Sequence, residues 1–116
     1  MKRGEVWWAR IDRRRPVLIL SQDKVGDIRA MVIVAPARIN IRGIAVEVKV
    51  GTREGLPRAG VLRVALPRPG HVNCNWLVTL QKVDLIERAG SLSSAKLLQV
   101  DDLLQVGELK WFLTQR

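Results

Sequence analysis

One cysteine, one histidine, one phenylalanine and no tyrosine occur in this chain of 116 residues. A lone Cys74 rules out an intrachain disulfide and any zinc site built on paired thiolates. With His71 the only imidazole, a two-histidine acid–base pair within one chain is excluded, as are most metal centres assembled from imidazoles. Acidic side chains are also in the minority: 11 Asp and Glu stand against 20 Lys and Arg, a net charge of +9. No apolar run reaches the roughly 20 residues that a membrane-crossing helix needs. No signal peptide is recognisable, because Met1-Lys2-Arg3-Gly4-Glu5 leads into an amphipathic strand and not into an apolar segment. The expected location is therefore cytoplasmic, without a membrane partner.

What is present is an ordinary globular profile, 47% hydrophobic and 27% charged, at the size of one domain of roughly 100–150 residues. A single domain over residues 1–116 is the simplest organisation, with no repeat, linker or low-complexity segment. The positive charge is the informative departure. A small domain this basic seeks polyanions, because each phosphate it neutralises releases counterions. Nucleic acid leads; an anionic membrane surface would call for a basic amphipathic helix, and none is evident.

Period-two alternation dominates the first three quarters of the chain. Val6, Trp8 and Arg10 point one way and Trp7, Ala9 and Ile11 the other, as in a strand. Pro16 to Leu20 is a continuous apolar run that reads as a buried strand with proline confined to its start. Met31 to Ala35 is another such run. Ile44 to Val50 alternates cleanly between Gly43 and Gly51. Val61 to Leu66 and Val72 to Leu80 complete the strands, separated by a Pro67-Arg68-Pro69-Gly70 turn. After Gly90 the period changes. Ser93 is a candidate N-cap, and Leu97, Val100, Leu103 and Leu104 share one helical face, with Gly107 expected to interrupt or end the helix and residues 108–113 to continue it briefly. Short strands followed by one amphipathic helix predict a mainly β (α+β) fold: a small barrel or strongly bent antiparallel sheet with a C-terminal helix.

The arginines carry the candidate chemistry. Arg13, Arg14 and Arg15 run directly into the Pro16 strand, and Arg38, Arg42, Arg58, Arg63 and Arg68 stand mostly beside a Pro or Gly at strand ends. Strand ends share a rim in a small barrel, so these guanidiniums are placed to converge, and their planar forks suit phosphate. The competing reading is that basic residues decorate solvated loops; three adjacent like charges beside a buried strand weigh against it. Trp76, near Asn73 and Asn75, is a candidate base-stacking platform, although core packing is the commoner fate of tryptophan. His71 follows a Pro-Gly turn, where a lone histidine is more often structural than catalytic. The acidic residues show no spacing that singles out a catalytic pair.

Ordered landmarks add a likeness. Arg3-Gly4-Glu5-Val6-Trp7 opens the chain, Arg15-Pro16-Val17-Leu18-Ile19-Leu20-Ser21 follows, and then come Val34-Ala35-Pro36, Arg42-Gly43-Ile44, Glu54-Gly55-Leu56-Pro57, Thr79-Leu80, Leu85 to Gly90 and Leu92-Ser93. In this order they resemble the MazF/PemK family of toxin endoribonucleases, with its R-G-E-V-W opening, R-P-V-L-V-L-S segment, V-x-P and G-L elements. The likeness extends over nearly the whole chain. It implies an SH3-like barrel with a C-terminal helix, a homodimer restrained by a cognate antitoxin, and cleavage of single-stranded RNA at short sequences without metal or other cofactor. In that chemistry the ribose 2′-hydroxyl attacks its own phosphate, leaving a cyclic phosphate and a free 5′-hydroxyl. The resemblance places Arg15 at the scissile phosphate, strengthened by the field of Arg13 and Arg14. Arg38 is expected to clamp a neighbouring oxygen, and Arg42, Arg63, Arg68, His71, Asn73 and Trp76 to contact RNA.

The chain also departs from the family pattern. Arg38 occupies a position where the family commonly has Thr or Ser. The loop ahead of Arg15 lacks the longer Glu-Gln-bearing form, so no glutamate base can be transferred and Asp12 is only a nearby substitute. Ala59 to Gly70 is longer than the minimal pattern and is expected to add a basic strand or hairpin. Two alternatives stay open at this point: a non-catalytic nucleic-acid-binding barrel, and a toxin of the same fold that inhibits a protein such as a topoisomerase. A surplus of +9 speaks against the second, since a protein target has no general need for it.

Overall fold

The computed structural model describes residues 1–66 and 76–106. Within them, β1 (Glu5–Arg10), β2 (Arg14–Gln22) and β3 (Ile28–Val32) precede β4 (Ala45–Val50) and β5 (Gly60–Ala65), followed by β6 (Leu77–Leu80), β7 (Leu85–Ser91) and α1 (Ser94–Val106). A five-stranded sheet runs β6-β3-β2-β1-β7 and a two-stranded sheet pairs β4 with β5; every pairing is antiparallel. The two sheets meet where the chain leaves β3: Val34 and Val61 exchange backbone hydrogen bonds of 2.9 and 2.7 Å. The expected mainly β fold with a C-terminal helix is present in its bent-sheet form, without a closed hydrogen-bonded ring among the described residues.

The apolar run predicted as a buried strand is the centre of the large sheet. Leu18 and Leu20 pack into one cluster with Val6, Met31, Leu62 and Val100, while Val17 and Ile19 join Ala9, Ile28, Ala30 and Val32 in another. Successive side chains of a strand point to opposite faces, so β2 is buried on both. The adjacent tryptophans divide in the same way, Trp8 against the first cluster and Trp7 against the second. On the first face α1 lies against β4 and β5 and buries Val100, Leu103 and Leu104. Ser93 is its N-cap, its Oγ accepting the Lys96 N–H at 3.2 Å.

Boundaries differ from expectation where side-chain turns intervene. β3 begins at Ile28, three residues before the apolar run, because Asp23 Oδ1 accepts the N–H groups of Val25 and Asp27 at 3.0 and 2.9 Å and closes a tight turn onto the Gln22–Ile28 pair. β7 has no counterpart among the strands read by alternation. Its pairing with β1 is shifted by irregularities between Val6 and Trp7 and between Trp8 and Ala9, and such bulges erase a two-residue period. Of the strand expected at Val72 to Leu80, only Leu77–Leu80 falls in the described residues, and the expected helix end beyond Val106 falls outside them. No helix among the described residues is long and apolar enough to cross a membrane.

One buried charge fixes the helix to the sheet. Glu54, 3% exposed, accepts the Gly51 N–H at 2.6 Å and the Lys96 ammonium at 3.0 Å. Lys96→Met strands that carboxylate in the interior. It is expected to remove about 2–3 kcal/mol of stability in urea unfolding, the partial exposure of Lys96 keeping the loss at the low end for a broken buried pair. An unchanged midpoint would show that the pair contributes nothing.

Candidate active-site groove

The β1–β2 hairpin places three arginines at one end of the large sheet. Arg10 pairs with Arg14, Ala9 with Arg15 and Trp8 with Pro16, and the Ile11 N–H donates to the Arg13 carbonyl at 3.1 Å, so Asp12 sits at the apex of a tight turn. From there Arg15 folds back onto Asp12: Nε donates to Oδ1 at 2.7 Å and Nη2 to Oδ2 at 3.0 Å. This fork-to-carboxylate contact holds the Asp12 carboxyl well below the usual carboxylate range and raises the Arg15 guanidinium above its ordinary value. Arg14 lies across the face of Trp8, its guanidinium carbon 4.7 Å from the ring centroid, and reaches the Glu87 carboxylate on β7. Trp8 itself pairs with Glu87 across the ladder, so Arg14, Trp8 and Glu87 form one stacked unit.

Trp8 and Arg13 to Pro16 line a groove of about 620 Å³ together with Ile33 to Ala35, Leu56 to Gly60 and Trp76. Its floor is the segment leaving β3. The Ile33 N–H donates to the Pro16 carbonyl at 2.9 Å on one side, and Val34 bridges to Val61 on the other. The hairpin therefore forms one wall and the Leu56–Gly60 loop the opposite wall. Trp76 is 43% exposed at this site, and its carbonyl accepts the Val32 N–H at 2.8 Å. A smaller concavity of about 260 Å³, at Met1, Trp7, Gln22, Lys82 and Leu85, offers no guanidinium, so it is the weaker candidate for a polyanion.

The Leu56–Gly60 wall is anchored by backbone contact. Gly55 (φ +88) and Gly90 cross so closely that a Cβ on Gly55 falls 2.0 Å from the Ala89 carbonyl oxygen, and one on Gly90 falls 2.3 Å from that of Glu54. Only glycine fits either position. Leu56 is buried, Pro57 restricts the next φ, and a Cβ on Gly60 would lie 2.6 Å from Ile33 Cγ2.

Of the residues singled out in the sequence, Arg13, Arg14, Arg15 and Trp76 come together in the groove. Two of the three clustered arginines are charge-compensated, by Glu87 and Asp12, which corrects the expectation of a wholly uncompensated run. Arg38 and Arg42 are exposed on the segment between Val34 and β4 and are not part of the groove lining. Arg63 has its guanidinium engaged, Nε with Glu47 at 2.6 Å and Nη2 with the Ala35 carbonyl at 2.8 Å. In this structure it braces the groove floor from behind. Arg68, His71 and Asn73 lie outside the described residues. Asp12 is a poor substitute for a general base, because a carboxyl so acidified takes up a proton reluctantly. The sequence grouped Arg58 with the strand-end arginines without giving it a role of its own, and did not point to Trp8 or Glu87 as groove residues. Arg58 is one loop arginine among several by sequence, and only the Gly55–Gly90 crossing sets it apart.

Comparison with known proteins agrees with the architecture. Residues 2–107 match the family model described as PemK-like, MazF-like toxin of type II toxin-antitoxin system. The probable endoribonuclease MazF5 of Mycobacterium tuberculosis is 30% identical over 106 residues, covering 90% of this chain and 89% of the relative. Among solved structures, the Mycobacterium tuberculosis toxin MazF-mt6 superposes with a TM-score of 0.65 at 23% identity, over 92% of this chain and 99% of that one. An endoribonuclease in complex with its cognate antitoxin from a mycobacterial species gives 0.62 at 19% identity, over 96% of both. The two structures share the fold. With the family model and the MazF5 relative each spanning almost the whole sequence, the chain belongs to the PemK-like, MazF-like toxins of type II toxin–antitoxin systems.

Proposed function

We propose that the groove is where this MazF-type toxin endoribonuclease takes single-stranded RNA and cuts it, the ribose 2′-hydroxyl attacking the adjacent phosphate. The observation that carries this reading is the convergence of four arginines and two tryptophans on one open groove: guanidiniums recognise phosphate, and indoles stack bases without regard to sequence. Arg15 stands at the scissile phosphate. Its Nε and Nη2 are engaged by Asp12, so the fork is held in place while Nη1 remains available to the phosphorane-like charge. In the balanced step, the 2′-oxygen loses its proton and bonds to phosphorus, and the bond from phosphorus to the 5′-oxygen breaks. A proton delivered to that oxygen leaves a free 5′-hydroxyl and a 2′,3′-cyclic phosphate. Arg38 and Arg42, on the exposed segment beside the floor, are outer contacts for the strand in this reading. The reading gives stabilisation of the developing charge to guanidiniums and calls for no cofactor.

The toxin acts as a homodimer in the cytoplasm. A cognate antitoxin restrains it, as the mycobacterial neighbour was solved with one. An acidic and apolar segment would complement the arginines and tryptophans and cover the groove. Inhibition of a topoisomerase fits less well, since a protein target does not call for arginines on two sides of a nucleotide-sized trough.

The test is incubation of a long unstructured RNA with the protein in EDTA, followed by mass spectrometry of the fragments. Cyclic-phosphate and 5′-hydroxyl termini are the expected products. Intact RNA, or 5′-phosphate termini, would overturn the mechanism.

A further inference from the structure

Four arginines face the groove, and they fall into two kinds. Arg14 is engaged by Glu87 and Trp8, and Arg15 by Asp12. Arg13 and Arg58 are exposed, and neither side chain has a hydrogen-bond or ion-pair partner among the described residues. They belong to different walls: Arg13 ends the hairpin turn, and Arg58 lies on the loop across the Ile33–Ala35 floor. A guanidinium on the far wall serves no purpose in holding Arg15. Its charge also lacks the internal carboxylate that each engaged arginine has.

We propose that Arg58, together with Arg13, forms a flanking-phosphate subsite that binds the RNA backbone at linkages other than the one served by Arg15. The inference rests on the reading of the groove as the RNA site. Presentation of Arg58 is prepared by the fold: its loop is pinned at Gly55 against Ala89 and at Gly60 against Ile33, with Leu56 buried and Pro57 limiting the backbone. Little main-chain entropy is then lost when the guanidinium meets a phosphate. Trp76, exposed in the same groove, stacks a base while the two free arginines hold the backbone on either side. The engaged arginines position the reacting linkage, and the free ones supply affinity.

Binding of a 2′-O-methyl oligonucleotide, which lacks the attacking hydroxyl, is measured by fluorescence anisotropy across a salt series for the full chain. Arg58→Ala is expected to raise Kd roughly tenfold, the loss of one charge-assisted contact. It also flattens the slope of log affinity against log salt by about 0.7, the value for one phosphate contact on a single strand. Arg58→Lys keeps the charge and restores the slope. Arg53→Ala removes the same charge from an exposed position outside the groove and leaves both quantities at wild type. The subsite is disproved if Arg58→Ala matches Arg53→Ala in Kd and slope, or if Arg58→Lys behaves as Arg58→Ala. Because the probe cannot be cut, a failure of the Arg15 mechanism shows only in the cleavage assay and leaves this outcome separately readable.

Discussion

Arg15→Ala is expected to lower kcat for RNA cleavage by about 10²–10³-fold, the usual consequence of removing a donor aimed at developing charge, while the melting transition hardly moves. The two effects separate because of where Arg15 stands. Its one ion pair is with Asp12, whose carboxylate is largely open to solvent while Arg15 is itself partly covered, and the hydrophobic clusters begin beyond it at Val17 and Leu18. The substitution also releases Asp12, leaving an unpaired carboxylate next to a groove meant for phosphate. RNA affinity therefore falls as well, through new repulsion. The double variant Asp12→Asn/Arg15→Ala removes that repulsion and should recover RNA binding without recovering turnover. Arg15→Lys keeps the charge but has no fork to close on Asp12, so its kcat should fall between wild type and the alanine variant. Undiminished cleavage by a clean preparation of Arg15→Ala would take this residue out of the mechanism.

Gly90→Ala should be among the most damaging single methyl groups in the described part of the molecule. The added carbon meets the Glu54 carbonyl oxygen at 2.3 Å and its carbon at 2.8 Å. Both are backbone atoms, so no rotamer change relieves the overlap. Either β7 separates from β1 or the segment around Glu54 lifts away, and the second outcome also disturbs Glu54 and its partners Gly51 and Lys96. A loss of about 3–5 kcal/mol is expected from overpacking plus backbone displacement, a large share of the 5–15 kcal/mol that holds a typical domain. Gly55→Ala should match it, adding an unfavourable positive φ to its own 2.0 Å overlap. Because this crossing anchors the Leu56–Gly60 wall, any folded remnant of either variant should also bind RNA more weakly. Urea unfolding measures the first effect, and a native midpoint for Gly90→Ala would refute it.

Much of the fold could be read in the order of residues. The Pro16 to Leu20 run announced a strand buried on both faces, and β2 is the central strand of the large sheet. Val100, Leu103 and Leu104 announced the buried stripe of α1, and Ser93 its cap. The landmarks from Arg3 to Ser93 were enough to bring the family into view. β7 stayed hidden because its bulged pairing with β1 scrambles the alternation that reveals a strand. Glu54 gave no sign of burial, since nothing local distinguishes it from the other ten acidic residues of a chain that has 11; its partner Lys96 lies 42 positions away.

The site divides along the same line. Composition and adjacency, which are properties of the chain itself, determined a basic, mainly β protein with an arginine cluster fused to its central strand. Which arginines act together was decided only when distant segments met. Arg14 and Arg15 found carboxylates, Arg63 turned inward to Glu47 and Ala35, and the Arg58 loop was fixed at the groove where nearby Gly55 crosses the distant Gly90. Charge is written residue by residue, but the field a phosphate meets depends on which charges are already answered by a neighbour, and neighbours across a sheet are set by packing.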